Sequence, residues 1–293
     1  GLARLLSGLD KSFIDTISSL DNVFWSSLTS QISKDFNNIK TERLDPMFEW
    51  SRSNFLNPDI DTTLLFYPFS GPDFLHAFQL YPNANEYILL ALEPVGSVPN
   101  FENMLVDSIK SYITNLNLFL RDIYLRSYFI TQNMINDIEE QKVDGVLSSL
   151  YWFVARTNHD IINFEKITLD SSGNIITENI QEEGWNKTGV DGVRFILKDS
   201  KNRIKKLVYF SCDISDQAFL GGGRPYHKNP HLLTFLKKMR SCNTFIKSAS
   251  YMMHYDRENL SFKNVRDVIL SKSKSIFQDD TGVPFNYLKD NDD

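Results

Sequence analysis

The sequence predicts an α/β (α+β) protein in which a Rossmann-like strand–helix–strand unit is extended by an antiparallel meander. Three observations support this class. Residues 64–93 contain an apolar run, a sharp turn, a short amphipathic segment and a second apolar run. Residues 161–212 contain four β-rich segments separated by turns. Residues 2–56 have apolar positions at helical spacing, which predicts a helical region before the sheet.

We therefore predict three parts of the chain: a helical N-terminal region at 1–57, an α/β domain at 58–285 and a frayed tail at 286–293. The first part is rich in Phe and Trp. The alternatives for it are packing over the α/β core, an aromatic platform for a ligand, and an apolar surface that docks to a protein partner.

The segment 64–93 is the organising unit of the predicted sheet. Pro68 and the sequence Ser70-Gly71-Pro72 end the first strand, and Asp73 suits the positive end of the helix that follows. The second strand ends in Glu93, which is where nucleotide-binding α/β units place an acid for the ribose. However, the turn has one glycine where the dinucleotide fingerprint has three. The alternative is a rigid strand-to-helix corner.

The remaining elements follow from periodicity and turn signals. The apolar spacing after Asn100 predicts a long helix, and the period then changes to that of strands. The predicted helices span 101–139, 143–156, 230–240, 243–254 and 261–277, and the predicted strands span 161–169, 175–180, 192–198 and 204–212.

Composition and charge exclude several functions. The net charge of −6 disfavours nucleic acid as a partner. No apolar run approaches the roughly 18 to 20 residues of a membrane span, so we expect a soluble body without a transmembrane segment. The five histidines lack zinc-type spacing, so no metal site is predicted. Cys212 and Cys242 either form a disulfide or remain two buried thiols.

No catalytic motif is present, so catalytic residues and cofactor are left unassigned. Ser70 lacks a Gly-x-Ser-x-Gly elbow, and its pairing with His76 or His254 is a minor alternative. The candidate ligand-binding residues instead share a position at element ends or in turns. They are Ser70, Gly71, Asp73, Glu93, Asp213, Asp216, Arg224, Asp279 and Asp280. Aspartates are also common as turn and cap residues, which is the structural alternative for this set.

Four motifs resemble a group of uncharacterised exported bacterial proteins, many of them lipoproteins. They begin at Tyr67 (YPFSGPD), Tyr81 (YPNA), Leu92 (LEPVG) and Gln278 (QDDTGVP). The resemblance implies a periplasmic or outer-membrane-associated location and allows a lipid anchor upstream of Gly1. It brings no catalytic residue with it.

Two functions follow from these observations. The first is an envelope-associated bacterial protein with a binding or structural role, in which the N-terminal helices dock to protein partners of a larger assembly. It predicts a filled corner at Ser70 and Asp73. The second is a small-molecule enzyme with a nucleotide-like or methyltransferase-like pocket at 64–93. It predicts a concave site there, with Asp213 opposite.

Overall fold

A computed structural model describes residues 1–10, 22–54, 63–126, 143–177, 191–220, 230–247, 249–253 and 261–279. The chain has an α/β fold built around one eight-stranded sheet. Its strands are β1 (Leu64–Pro68), β2 (Glu86–Ala91), β3 (Asp160–Leu169), β4 (Ile175–Thr177), β5 (Asp191–Lys198), β6 (Ile204–Ser211), β7 (Cys242–Lys247) and β8 (Ser273–Asp279).

The strand order is β4-β3-β5-β6-β2-β1-β7-β8. Five neighbouring strands, from β6 to β8 in this order, are parallel. The other three extend the sheet in antiparallel fashion from β6. The predicted combination of a Rossmann-like unit and an antiparallel extension is confirmed. The extension is not a simple meander, because β5 pairs with β3 and leaves β4 at the edge of the described sheet.

Three of the described helices precede β1, and the others lie in the sequence between later strands. They are α1 (Leu2–Leu6), α2 (Asn22–Ile39), α3 (Asp45–Asn54), α4 (Phe74–Leu80), α5 (Val106–Arg126), α6 (Leu147–Arg156), α7 (Asp216–Phe219), α8 (Pro230–Lys238) and α9 (Lys263–Lys272). A π-helical segment, Lys40–Leu44, joins α2 to α3. Two 3₁₀ turns span Phe101–Asn103 and Ser250–Met253.

The sheet is covered on both faces, which explains why its central strands are buried along their whole length. Alternate residues of one strand point to opposite faces. Thus Leu65 and Tyr67 belong to a core shared with residues of α1 to α6, whereas Leu64 and Phe66 belong to a second core shared with residues of α8 and α9.

The described helices of the N-terminal region belong to the first core. Leu5, Phe36 and Met47 are buried in the same cluster as residues of β1, β2 and β6. Met47 is fully buried. The predicted packing of these helices over the α/β core is therefore confirmed for the described residues.

Near the C-terminus one helix prediction is wrong, and a second is right only as far as Lys272. Residues 242–247 form β7 and residues 273–279 form β8, although helices were predicted over 243–254 and 261–277. Because β7 is buried on both faces, its sequence lacks the alternation that distinguishes a strand from a helix. The helix in the second segment, α9, ends at Lys272, and Ser273 already has extended backbone.

The two cysteines are free thiols. Cys212 follows β6 and Cys242 begins β7, and both are buried in the second core. The disulfide alternative therefore does not hold in this structure. Burial raises the pKa of each thiol. Separately, no helix among the described residues is both long and apolar enough to cross a membrane.

Candidate active site

The site lies at the switch point of the sheet, between β1 and β7. The chain leaves β1 through α4 to reach β2 on one side, and β7 pairs with β1 on the other. In open α/β sheets, ligands bind in the crevice at the carboxyl ends of strands where the winding direction changes. Here the loop after β1 contains Asp73, β7 ends at Lys247 and β8 ends at Asp279.

The loop between β1 and α4 is held in a tight conformation. Phe69 and Gly71 both have a φ of 55°, in the left-handed region. A bulky residue such as Phe69 is rarely found there, and such strain is of order 1–3 kcal/mol. The Ser70 N–H donates to the Leu90 carbonyl of β2 at 2.9 Å, which fixes the loop to the neighbouring strand. Asp73 then caps α4 by accepting the His76 backbone N–H at 3.1 Å.

Asp73, His76 and Lys247 form a buried cluster of ionisable groups. The His76 Nδ1 atom lies 2.8 Å and 2.9 Å from the two carboxylate oxygens of Asp73. The Lys247 ammonium lies 3.3 Å from Asp73 Oδ2 and 3.2 Å from His76 Nδ1. The exposed fractions of the three residues are 1%, 4% and 5%. The cluster joins the start of α4 to the end of β7.

The charge states of the cluster follow from burial and from these contacts. Burial alone would raise the pKa of Asp73, but the charges of His76 and Lys247 and the hydrogen bonds from His76 outweigh it and lower that pKa well below its usual range. Burial lowers the pKa of His76 and that of Lys247, although Asp73 opposes both shifts. Asp73 is thus ionised, and the neutral form of His76 is favoured.

The tautomer of His76 follows from its partner. An ionised carboxylate can only accept hydrogen bonds, and it lies closer to Nδ1 (2.8 Å) than the Lys247 ammonium does (3.2 Å). The Nδ1 atom therefore carries the proton, and Lys247 donates to Asp73. The Nε2 atom of the neutral ring then has a lone pair. It is buried and has no hydrogen-bond partner among the residues that the structure describes. An imidazole oriented by a carboxylate through one nitrogen, with the other nitrogen unoccupied, is the arrangement of a general base.

Three further groups surround the cluster. The Tyr67 hydroxyl donates to Asp73 Oδ2 at 3.0 Å, and burial together with the charge of Asp73 raises the pKa of Tyr67. Asp279 is fully buried and is the register partner of Lys247 in the β7–β8 ladder. Arg43 lies in the π-helical segment. Burial lowers the pKa of His76 and that of Lys247, and the positive charge of Arg43 adds to both shifts. The site therefore combines acids and bases from four separate parts of the chain.

The structure brings some of the predicted ligand-binding residues together. Asp73 and Asp279 both lie beside Lys247. Burial lowers the pKa of Lys247, and both carboxylates oppose this shift. Ser70 and Gly71 are buried in the loop that leads to Asp73, where the Ser70 hydroxyl donates to the Gly71 carbonyl at 2.7 Å. These four positions belong to the site or to its supporting loop.

The other predicted residues have different surroundings. Glu93 is 1% exposed. Burial raises the pKa of Tyr209 and that of Cys212, and the charge of Glu93 adds to both shifts. Asp213 accepts the Ser215 backbone N–H at 2.8 Å in a local turn. Asp216 accepts the Lys263 and Asn264 backbone N–H groups at 2.8 Å each and thereby caps α9. Arg224 and Asp280 lie outside the described residues.

Sequence reasoning missed the two nitrogen bases of the cluster, His76 and Lys247. His76 was considered only as a partner of Ser70, although its spacing from Asp73 (i, i+3 at a helix start) is a usable signal. Lys247 was assigned to a predicted helix and is separated from Asp73 by 174 positions. A lysine at the end of a buried strand would have been a signal, because lysine is rarely buried without a partner.

The fold and the cluster define a doubly wound α/β protein with a buried cluster of ionisable side chains at its switch point. No group of three or more metal-ligating side chains is found in the part of the chain that the structure describes. The chain has no match among protein-family models, curated proteins or solved structures. The function must therefore be inferred from the site.

Proposed function

We propose that the protein is a small-molecule enzyme whose general base is His76, oriented by Asp73 and assisted by the positive charge of Lys247. This is the second of the two functions predicted from the sequence, located at the 64–93 unit. The observation on which it depends is the His76 ring: Nδ1 is held by a buried carboxylate, and the buried Nε2 has no hydrogen-bond partner within the described part of the chain.

Stability alone does not explain the cluster. Burying charged groups is costly, and apolar replacements of a buried ion pair are often neutral or stabilising by about 1–4 kcal/mol. Perturbed ionisable groups of this kind concentrate at functional sites. The strained backbone of Phe69 next to the cluster supports the same conclusion, because such strain is typical of active sites.

The position of the cluster favours a nucleotide-like ligand over other small molecules. The parallel β1–α4–β2 order and the switch point are shared by nucleotide-binding α/β proteins. The corner itself is filled, since Ser70, Asp73 and Glu93 are each 1% exposed. This burial is what the structural alternative predicted. The Nε2 atom of His159 is likewise buried without a hydrogen-bond partner among the described residues. What distinguishes His76 is that a buried carboxylate holds its Nδ1 atom, whereas a hydroxyl lies beside Nδ1 of His159.

The proposal is tested with His76→Asn, whose side-chain amide can still donate to Asp73 but has no counterpart of Nε2. The protein is purified from its own cells, its bound small molecules are identified by native mass spectrometry, and their turnover is measured. We expect turnover to fall by about 10²–10⁴-fold. His231→Asn, on α8, is the matched control and should be unaffected.

Turnover of His76→Asn within twofold of the wild-type rate would contradict the proposal. So would a wild-type protein that retains no small molecule and turns over none of a panel of nucleotides and their analogues.

An envelope-associated role is a separate proposal. It is supported by the resemblance of the four motifs. Fractionation of the native cells tests it. Recovery in the periplasmic or outer-membrane fraction is expected, and recovery in the cytoplasmic fraction would exclude this location.

A further inference from the structure

Tyr67 lies near the end of β1, just before the tight loop that contains Asp73. It is 1% exposed, and its hydroxyl donates to Asp73 Oδ2 at 3.0 Å. Its ring packs on Phe245 of the neighbouring strand β7, with 4.6 Å between the ring centroids. This packing holds the hydroxyl against the carboxylate.

Several donors share the Asp73 carboxylate. Oδ1 accepts the backbone N–H of His76 at 3.1 Å and lies 2.8 Å from Nδ1 of the same residue. Oδ2 accepts from Tyr67 at 3.0 Å and from Lys247 at 3.3 Å. Each hydrogen bond to a carboxylate favours its charged form and so lowers its affinity for a proton. The Tyr67 hydroxyl and the Lys247 ammonium therefore compete with the His76 ring for the charge of Asp73.

This competition matters for a general base. A base must release the proton that it takes up, whereas an unshared buried carboxylate would hold the imidazolium in an ion pair. The Tyr67 hydroxyl takes up part of the carboxylate's charge and brings no charge of its own. Burial, together with the charge of Asp73, raises the pKa of Tyr67, so the hydroxyl keeps its proton and remains a donor at neutral pH.

We propose that Tyr67 is a positioning residue of the site, whose hydroxyl moderates the Asp73 carboxylate so that His76 remains a neutral base. The inference rests on the proposed function, since it names a residue that regulates the base of that same site. Packing alone does not require the hydroxyl. A phenylalanine would present the same ring to Phe245, and Asp73 would keep His76 and Lys247 as partners.

The other charged groups at the site stay in place when the tyrosine hydroxyl is removed. Burial lowers the pKa of His76, Asp73 opposes this shift, and the charges of Lys247 and Arg43 add to it. Burial also lowers the pKa of Lys247, and Asp279 of β8 is among the charges that oppose that shift. A change in the His76 ring can therefore be assigned to the lost hydroxyl.

The test follows the ring resonances of His76 by NMR in the full chain, assigned by their loss in His76→Asn. In Tyr67→Phe we expect the Nδ1 proton to move downfield, because the carboxylate that accepts it has lost a competing donor. We also expect the acid side of the pH profile of turnover to lie at a higher pH than in the wild type, since the imidazolium is better stabilised. Turnover is measured on the small molecules found with the native protein.

The matched control is Tyr87→Phe. Tyr87 is fully buried on β2, and its hydroxyl donates to the Tyr81 carbonyl at 2.7 Å. The control thus removes a buried tyrosine hydrogen bond that does not involve Asp73, and it should leave the His76 resonances and the pH profile unchanged. If Tyr67→Phe fails to fold, Tyr67 is replaced by a ring-fluorinated tyrosine. Its more acidic hydroxyl is a stronger donor, so the Nδ1 proton should move upfield.

Unchanged His76 resonances in the Tyr67 variant would overturn the inference, as would an unchanged pH profile or an equal displacement in Tyr87→Phe. If turnover depends on His76 but neither readout responds to the change at Tyr67, this inference fails and the proposed function stands. If the resonances respond but turnover does not depend on His76, the proposed function fails.

Discussion

Asp73 is the residue on which the charges of the site depend. Its carboxylate accepts hydrogen bonds from Tyr67, from Lys247 and from the side chain and backbone of His76. Because it is buried, each of these contacts acts in surroundings of low polarity, where electrostatic interactions are strong. Removing it would leave Lys247 buried beside Asp279. The Lys247 ammonium would then lack the Asp73 carboxylate oxygen that lies 3.3 Å away.

We expect Asp73→Ala to lower the free energy of unfolding by about 3–5 kcal/mol, the usual cost of leaving one member of a buried ion pair behind. The double variant Asp73→Leu, Lys247→Met should recover only part of this loss: it removes the charges of the pair, but Asp279 then loses the ammonium beside it. Urea unfolding measures both values.

The control for this experiment is Asp45→Ala. Asp45 pairs with Lys40 on the surface, where both side chains are about half exposed (53% and 51%). Its loss should cost less than about 1 kcal/mol. A comparably small effect of Asp73→Ala would show that the buried pair contributes little to stability.

At the scale of elements, α4 connects two separate groups of buried polar side chains. Its first turn contains His76, and its last turn contains Phe78, whose ring packs edge-to-face on His159 at 4.6 Å. The Thr157 hydroxyl lies 3.0 Å from Nδ1 of His159. Burial, reinforced by the charge of Lys205, lowers the pKa of His159 from 6.5 to about 4.

This shift predicts a loss of stability in acid. His159 is neutral in the fold but protonates in the unfolded chain at the ordinary pKa of 6.5. The part of the free energy of unfolding that depends on a neutral His159 is therefore fully present above about pH 6.5. It is lost as the pH falls towards 4, by up to about 3 kcal/mol. The charge of Asp199 raises the pKa of the same imidazole, and the charge of Arg203 lowers it.

The variant His159→Phe should flatten that part of the pH profile, since phenylalanine fits among the rings of Phe74 and Phe78 and does not titrate. The free energy of unfolding is measured at intervals from pH 7 to pH 4 for both proteins. Parallel profiles for the variant and the wild type would contradict the assignment. The buried His76 remains in both proteins and does not affect the comparison.

Elements with a clear local pattern were predictable, and those specified by distant contacts were not. The β1–α4–β2 unit follows from apolar runs, Pro72 and Asp73, and the four strands from β3 to β6 follow from turns and alternation. By contrast, β7 is buried on both faces by helices from distant parts of the chain, which removes its alternation. For the same reason Lys247, at the end of β7, was not predicted as part of the site. The sequence therefore indicated Asp73 and Asp279 but not the lysine beside them.

At the scale of the whole molecule, the described N-terminal helices and the sheet share one core. Ile32, Leu44 and Met47 lie in the same buried cluster as Leu89 and Leu207. Elements that share a core of this kind usually unfold together. We therefore expect one cooperative transition for the helices and the sheet.

Met47→Ala tests this expectation. Truncating a fully buried methionine should cost about 2–5 kcal/mol and move a single urea transition to lower concentration. Far-UV circular dichroism and tryptophan fluorescence should coincide throughout. Val23→Ala, at a position that is 75% exposed, should change the midpoint little. Two separated transitions would show that the helices unfold on their own.

The two buried cysteines belong to the second core, on the face of the sheet opposite the N-terminal helices. A thiol reacts as its thiolate, so burial and a raised pKa protect Cys212 and Cys242 for as long as α8 and α9 cover them. The sequence contains no other cysteine. The rate at which an alkylating reagent modifies the native protein at neutral pH is therefore a direct readout of how often that one face of the sheet opens.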